Sequence, residues 1–263
     1  MRALTLLFAL LPLPVLAFSQ EDVLTGGLLP GWQQDSGTRM TALHLTLAPG
    51  WKTYWRSPGE AGIPPSFDWS GSENLRAVRF HWPRPQVFEL NGMRTVGYHD
   101  QLTLPIEVTP ADPALPIRLK GSVDLGVCSD ICLPAGLSFD MTVDGTGSPD
   151  PRISAALNDG PVTADQAGMA AIGCTIDPIA DGLRLTARID LPHKGGAETV
   201  VFESATSGVW VSESTATRAG GTLTAAAELV PPQGAPFALD RSTVTVTVIS
   251  DNRAVEIRGC PAP

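Results

Sequence analysis

Apolar and polar residues alternate along most of this 263-residue chain. Leu43, Leu45 and Leu47 flank His44 and Thr46. Ile117, Leu119, Gly121, Val123 and Leu125 share one face, with Arg118, Lys120, Ser122 and Asp124 on the other. Leu137, Phe139, Met141 and Val143 repeat the pattern, and it returns at Leu183–Leu191, at Leu223–Leu229 and at Val244, Val246 and Val248. A period of two marks a strand with one buried face. Between Gly145 and Gly173 the alternation stops, beginning with the turn-rich GTGSPDP, and Arg152–Leu157 suits only a turn or two of helix. Short strands punctuated by turns predict an all-β fold of two tandem antiparallel β-sandwich domains, 21–145 and 173–263, joined by a linker at 146–172.

The N-terminus departs from this pattern. MRALTLLFALLPLPVLAFSQED has a basic residue at Arg2, an apolar run from Leu4 to Leu16 and small residues before Phe18. Residues 1–17 are therefore predicted to be a secretory signal peptide cleaved near Ala17. The run falls short of the about 20 residues that span a bilayer, so the expectation is an exported protein without membrane insertion. A net charge of −9 argues against nucleic acid or anionic lipid as partner. Gly (26) and Pro (24) stay below the share that signals disorder and fit many short strands.

Export makes the four cysteines candidates for two disulfides. Cys174 and Cys260 bracket the second domain, and a bridge across that loop would stabilise by about 4.6 kcal/mol on the chain-entropy estimate. The structural reading is preferred there over two separate reactive thiols. Cys128 and Cys132, in GVCSDICLP between two alternating strands, differ. So small a ring is worth only ~2 kcal/mol, and strain in it favours reduction. Three chemistries fit the spacing: an inert local bridge, a reversible redox couple, or a Cu(I) site of two soft thiolates with His81, His99 or Met93 as further donors. No CxxC…CxxC or HxxxH pattern supports zinc. Asp124 and Asp130 lie beside the pair, with no Lys or Arg between Lys120 and Arg152, which disfavours thiolate. In the second domain, Arg218, Arg241 and Trp210 are candidates for a docking face, weighed against a solvated surface and a core tryptophan.

The run YHDQLTLP at 98–105, the strand after it and GVCSDICLP together resemble the periplasmic N-terminal domain of the thiol–disulfide interchange protein DsbD. GWKTYWRSPGEAGIPPSFDW at 50–69 is similar to the copper-sensitivity-suppressor (ScsB-like) branch. The resemblance implies an immunoglobulin-like first domain with Cys128 and Cys132 as the redox-active pair, Cys132 matching the family's second cysteine. DsbD itself has five intervening residues where this chain has three. It also implies a cap loop at 88–97, with Phe88, Leu90 and Met93 as shielding side chains. Tyr98 and Asp100 are candidates to position the loop and handle protons, weighed against a structural role at a strand start. The function expected is that of a periplasmic relay, acting as a protein-disulfide reductase without cofactor. It would pass reducing equivalents from a membrane thiol electron donor to thioredoxin-like periplasmic proteins. DsbD's membrane and thioredoxin-like domains are not matched in this chain, so the donor is expected to be a separate protein. The alternatives are a periplasmic Cu(I)-binding or copper-tolerance protein using the same thiolates, and a non-catalytic interaction module with two structural disulfides.

Overall fold

The computed structural model describes residues 19–90, 92–232 and 237–263, with the side chain of Leu90 outside the description; residues 1–17, expected from the sequence to be a signal peptide, also lie outside it. Strands occupy 54% of the described residues and helices 6%, so the fold is all-β. In chain order the first ten strands are β1 (Leu24–Gln33), β2 (Arg39–Leu47), β3 (Lys52–Tyr54), β4 (Ser66–Asp68), β5 (Leu75–Phe80), β6 (Gln86–Leu90), β7 (Met93–His99), β8 (Gln101–Pro110), β9 (Ile117–Cys128) and β10 (Cys132–Val143). They form two sheets, β1-β2-β8-β5 and β10-β9-β3-β7-β6, with β4 also paired to β9. Leu43, Leu45, Leu104, Ile106, Ile117, Leu119 and Val123, all at most 1% exposed, meet between the sheets with Trp55. The alternation read from the sequence decides this: odd positions of β9 and β10 point inward and even ones outward.

The interruption after residue 145 is ordered. Asp150 caps α1 (Pro151–Asn158), accepting from the Arg152 N–H, and Pro151 occupies the first turn. Ile153 of α1 covers Met40 and Ala42, so the first half of β2, residues 39–43, is buried on both faces.

Beyond it lie β11 (Val162–Thr163), β12 (Ala171–Pro178), β13 (Leu183–Asp190), β14 (Thr199–Glu203), β15 (Trp210–Val211), β16 (Thr215–Ala219), β17 (Thr222–Val230), β18 (Thr245–Ser250) and β19 (Arg253–Arg258). These build a second pair of sheets, β11-β19-β18-β14 and β12-β13-β17-β15 with β16 on β17, around their own core. Cys174 and Cys260 are bonded inside it, each at most 1% exposed. Arg241 donates to the carbonyls of both cysteines. No helix among the described residues is long and apolar enough to cross a membrane.

Candidate functional site

The strand register dictates where the sulfurs go. Val123, Leu125 and Val127 of β9 face the core, so Gly126 and Cys128 face outward. Across the hairpin Cys132 pairs with Cys128, which puts both side chains on one outer face with Cα atoms 4.2 Å apart, joined as a disulfide. Ser129, Asp130 and Ile131 close the turn, where the Ser129 N–H donates to the Ile131 carbonyl.

An outward-facing cysteine pair would ordinarily be open to water on both sulfurs. Here Cys132 is exposed and Cys128 only 1% so. The difference comes from an excursion in the neighbouring strand position. β3 runs beside β9 at Lys52↔Cys128 and Thr53↔Val127, and β4 resumes at Ser66↔Asp124. Residues 55–65 between them leave the sheet and fold back over its outer face. Trp51, Thr53 and Trp55 point inward and are buried, so Tyr54 points outward beneath the excursion, at 2% exposure. A Cβ on Gly62 would lie 2.9 Å from the Tyr54 ring, and one on Gly126 would lie 3.0 Å from it and 2.8 Å from the Ile63 Cβ. Only glycine lets the ring and Ile63 approach so closely.

Held in that slot, the Tyr54 hydroxyl donates to Cys128 Sγ at 2.7 Å and lies 3.5 Å from Cys132 Sγ. Burial pushes the Tyr54 hydroxyl above its ordinary value of 10.0, so it is a protonated donor at neutral pH. Lys52 stands in register with Cys128, but its ammonium turns away to Thr95 Oγ1 (3.1 Å) and lies 5.0 Å from the centre of the Phe88 ring. Tyr54 is thus the polar group directed at the sulfurs.

The other residues singled out from the sequence are placed differently. Tyr98 lies on the core side of β7, its hydroxyl donating to the Pro83 carbonyl at 2.9 Å and its ring stacked near Trp82. Asp100 takes a positive φ of 61° between β7 and β8, where its carbonyl accepts from Leu47 N–H and its own N–H donates to Trp51. Both secure strand ends. The 88–97 stretch forms most of the β6–β7 hairpin: Phe88 packs edge-on against His99, Met93 is 53% exposed, and the Leu90 side chain lies outside the described residues. Tyr54 and Gly126 are covered by residues 55–65.

His81 is bonded to Glu107 on the opposite sheet. Among the described residues no three His, Cys, Asp or Glu side chains are grouped to hold a metal. Arg218 is committed to Glu198 through two bonds, and Trp210 is 49% exposed.

Sequence reasoning passed over Tyr54. The signal was present: a strand reading of WKTYW with tryptophans inward leaves a tyrosine outward, immediately before the Gly- and Pro-rich RSPGEAGIPP.

Residues 26–143 match the family described as thiol:disulfide interchange protein DsbD, N-terminal. The crystal structure of the N-terminal periplasmic domain of ScsB from Proteus mirabilis superimposes with a TM-score of 0.66 at 22% identity, over 94% of this chain and 96% of that one. That likeness concerns the fold and extends across both sandwiches. The DsbD N-terminal domain of Neisseria meningitidis in its reduced form aligns at 18% identity over 51% of this chain and 96% of its own, with a TM-score of 0.32. No curated protein sequence matches. The first pair of sheets is immunoglobulin-like, and residues 26–143 match the model of the DsbD N-terminal family.

Proposed function

We propose that Cys128–Cys132 is the working disulfide of a periplasmic thiol–disulfide exchange module, built on residues 21–145. The carrying observation is the asymmetry of the pair: an exposed Cys132 bonded to a buried Cys128 whose sulfur receives the Tyr54 hydroxyl. Thiol–disulfide exchange needs one sulfur open to attack and a good leaving group on the other.

The step runs as follows. A donor thiolate attacks Cys132 Sγ, the Cys132–Cys128 bond breaks, and its electron pair leaves on Cys128, where the Tyr54 hydroxyl stabilises the thiolate. A second donor thiol then attacks the donor's own sulfur in the mixed disulfide and releases Cys132 as a thiolate. The donor ends oxidised and this protein carries two thiols. In the forward relay Cys132 attacks an acceptor disulfide, and Cys128 displaces the acceptor's thiolate to restore the ring. The donor class is a membrane or thioredoxin-like dithiol, and the acceptors are periplasmic thioredoxin-like proteins. The family match supports this reading.

Two measurements test it. Equilibration in glutathione buffers followed by thiol trapping gives the expected two-electron midpoint above about −300 mV, the level below which structural bridges lie. A Cys128→Ser variant accumulates a mixed disulfide through Cys132. A pair that stays oxidised in every glutathione buffer, with no trapped adduct, leaves an interaction module with two permanent bridges.

A further inference from the structure

The proposed exchange step uses no residue of the second sandwich, yet that sandwich grips the segment that covers Cys128. Arg56 opens the excursion at residues 55–65. Its guanidinium lies 4.4 Å from the ring centre of the buried Trp55. From there Nε and Nη2 donate to the two carboxylate oxygens of Glu203, both at 2.8 Å, and Nη2 also donates to Glu256 at 2.9 Å. Glu203 ends β14 and Glu256 lies on β19, two strands of one sheet in the second sandwich, separated by β18. The three side chains are only 21–25% exposed, so this fork is shielded from the solvent that weakens surface pairs.

The rest of the excursion is weakly held. Two backbone bonds tie its start to β7, from Trp55 N–H to the Val96 carbonyl and from Val96 N–H to the Pro58 carbonyl. Gly59 takes a positive φ of 84°, Gly62 leaves the segment free of side-chain bulk, and Pro64 and Pro65 carry no N–H to donate. On its far side Pro58, Gly59, Gly62 and Pro64 line a groove of about 410 Å³ whose other wall is Thr199–Glu203 and Val209–Ser214 of the second sandwich. The excursion therefore packs on Tyr54 below and faces the second sandwich across this groove, with the Arg56 fork bridging the two.

We infer that the second sandwich sets the accessibility of Cys128, with Glu203 and Glu256 acting as positioning residues that hold Arg56 and, through it, the cover over Tyr54. The inference builds on the reading of Cys128–Cys132 as the exchange site, because it assigns the control of that site. It gives the relay a means of protecting the buried thiol from adventitious oxidation and attack while Cys132 stays open to partners.

The test measures access without using exchange. Full-length reduced protein carrying Cys132→Ala, its Cys174–Cys260 bridge intact, is labelled at Cys128 with iodoacetamide across a range of pH. The plateau of the rate profile reports access and its midpoint reports thiol acidity. Against this background, Glu203→Gln with Glu256→Gln removes two negative charges, and Arg56→Gln removes one positive charge. Both are expected to raise the plateau by about fivefold or more, the lower end of coupling between two sites. Arg56→Lys is expected to recover part of the protection. Opposite changes in the two variants would show a field effect on the thiolate in place of a clamp. Equal plateaus in all proteins, with unchanged melting temperatures, would equally overturn the inference. Neither result touches the exchange reading, which stands or falls on the glutathione equilibrium and the trapped adduct.

Discussion

Replacing Tyr54 with phenylalanine removes one oxygen and leaves the ring in its slot between Gly62 and Gly126. In the oxidised protein that oxygen meets a disulfide sulfur, a weak acceptor. No buried polar group is orphaned, so stability should change by less than about 1 kcal/mol. The reduced protein is different. There the hydroxyl, 2.7 Å from Cys128 Sγ in the oxidised form, faces a sulfur able to carry a full charge. A hydrogen bond to a charged group is worth about 1.5–3 kcal/mol, and each pH unit of titration corresponds to about 1.4 kcal/mol. The bond favours the thiolate, so its loss moves the Cys128 titration upward by about one to two pH units. In the proposed step Cys128 is also the leaving group when a donor attacks Cys132. With a rate sensitivity similar to that of the attacking thiol, about 0.4–0.5 per unit, reduction slows by roughly threefold to tenfold. The assays are ultraviolet absorbance of the thiolate against pH and stopped-flow reduction by dithiothreitol. If neither the titration nor the rate moves, Tyr54 is packing material and the leaving-group argument is wrong.

Gly126→Ala drives a Cβ into the Tyr54 ring and Ile63; it should cost about 1–3 kcal/mol in denaturant unfolding and speed Cys128 labelling, and a variant as stable and closed as the parent refutes the packing account. Serine at both Cys174 and Cys260 should cost about 2–5 kcal/mol, the range for a native bridge in a small domain, and a loss under about 1 kcal/mol would mean the bridge is no staple. Glu198, 7% exposed, is buried against ionisation, but two bonds from Arg218 and a more distant His193 outweigh this and hold its carboxyl below the usual value. A depressed folded pKa gives stability above the unfolded value of about 4.3 that disappears as pH falls through the folded one. Glu198→Gln should therefore melt earlier than the parent at pH 7, with the gap closing progressively below about pH 4.5; a gap independent of pH would refute the assignment.

The fold was legible because period-two alternation carries its own geometry. Leu137, Phe139, Met141 and Val143 do face the core, and the even positions that include Cys132 face out. The bridge between Cys174 and Cys260 followed from their bracketing of the second strand set. What the alternation could not convey was anything arriving from a distant stretch. Met40 and Ala42 are buried on the outer face of β2 because α1 lands there. Tyr54 reaches the sulfurs because β3 pairs with β9, seventy-odd positions later, and no local period encodes that pairing. The resemblance pointed to a cover at 88–97, and it gave no sign that the Gly- and Pro-rich 55–65 packs over Tyr54. Arg56 in the same stretch reads as an ordinary surface cation until Glu203 and Glu256 are brought to it.

This arrangement answers a constraint that the hairpin imposes. Directly paired residues share a face, so a bridge from Cys128 to Cys132 puts both sulfurs inward or both outward. Inward, both would be lost in the core beside Val127, beyond reach of any partner. Outward, both would be open, and Cys128 would leave as a thiolate supported by water alone. Unequal sulfurs require a third element laid over the sheet, on the side of Cys128 and not of Cys132. The break between β3 and β4 supplies it, because that strand position borders β9, while Cys132 lies on β10 at the sheet's free edge. The chemistry proposed for the pair is therefore set less by the CSDIC sequence than by which neighbour of β9 is interrupted. Moving the same five residues to a hairpin without such a break should yield two exposed sulfurs that alkylate at similar rates once reduced, in contrast to the unequal labelling expected here.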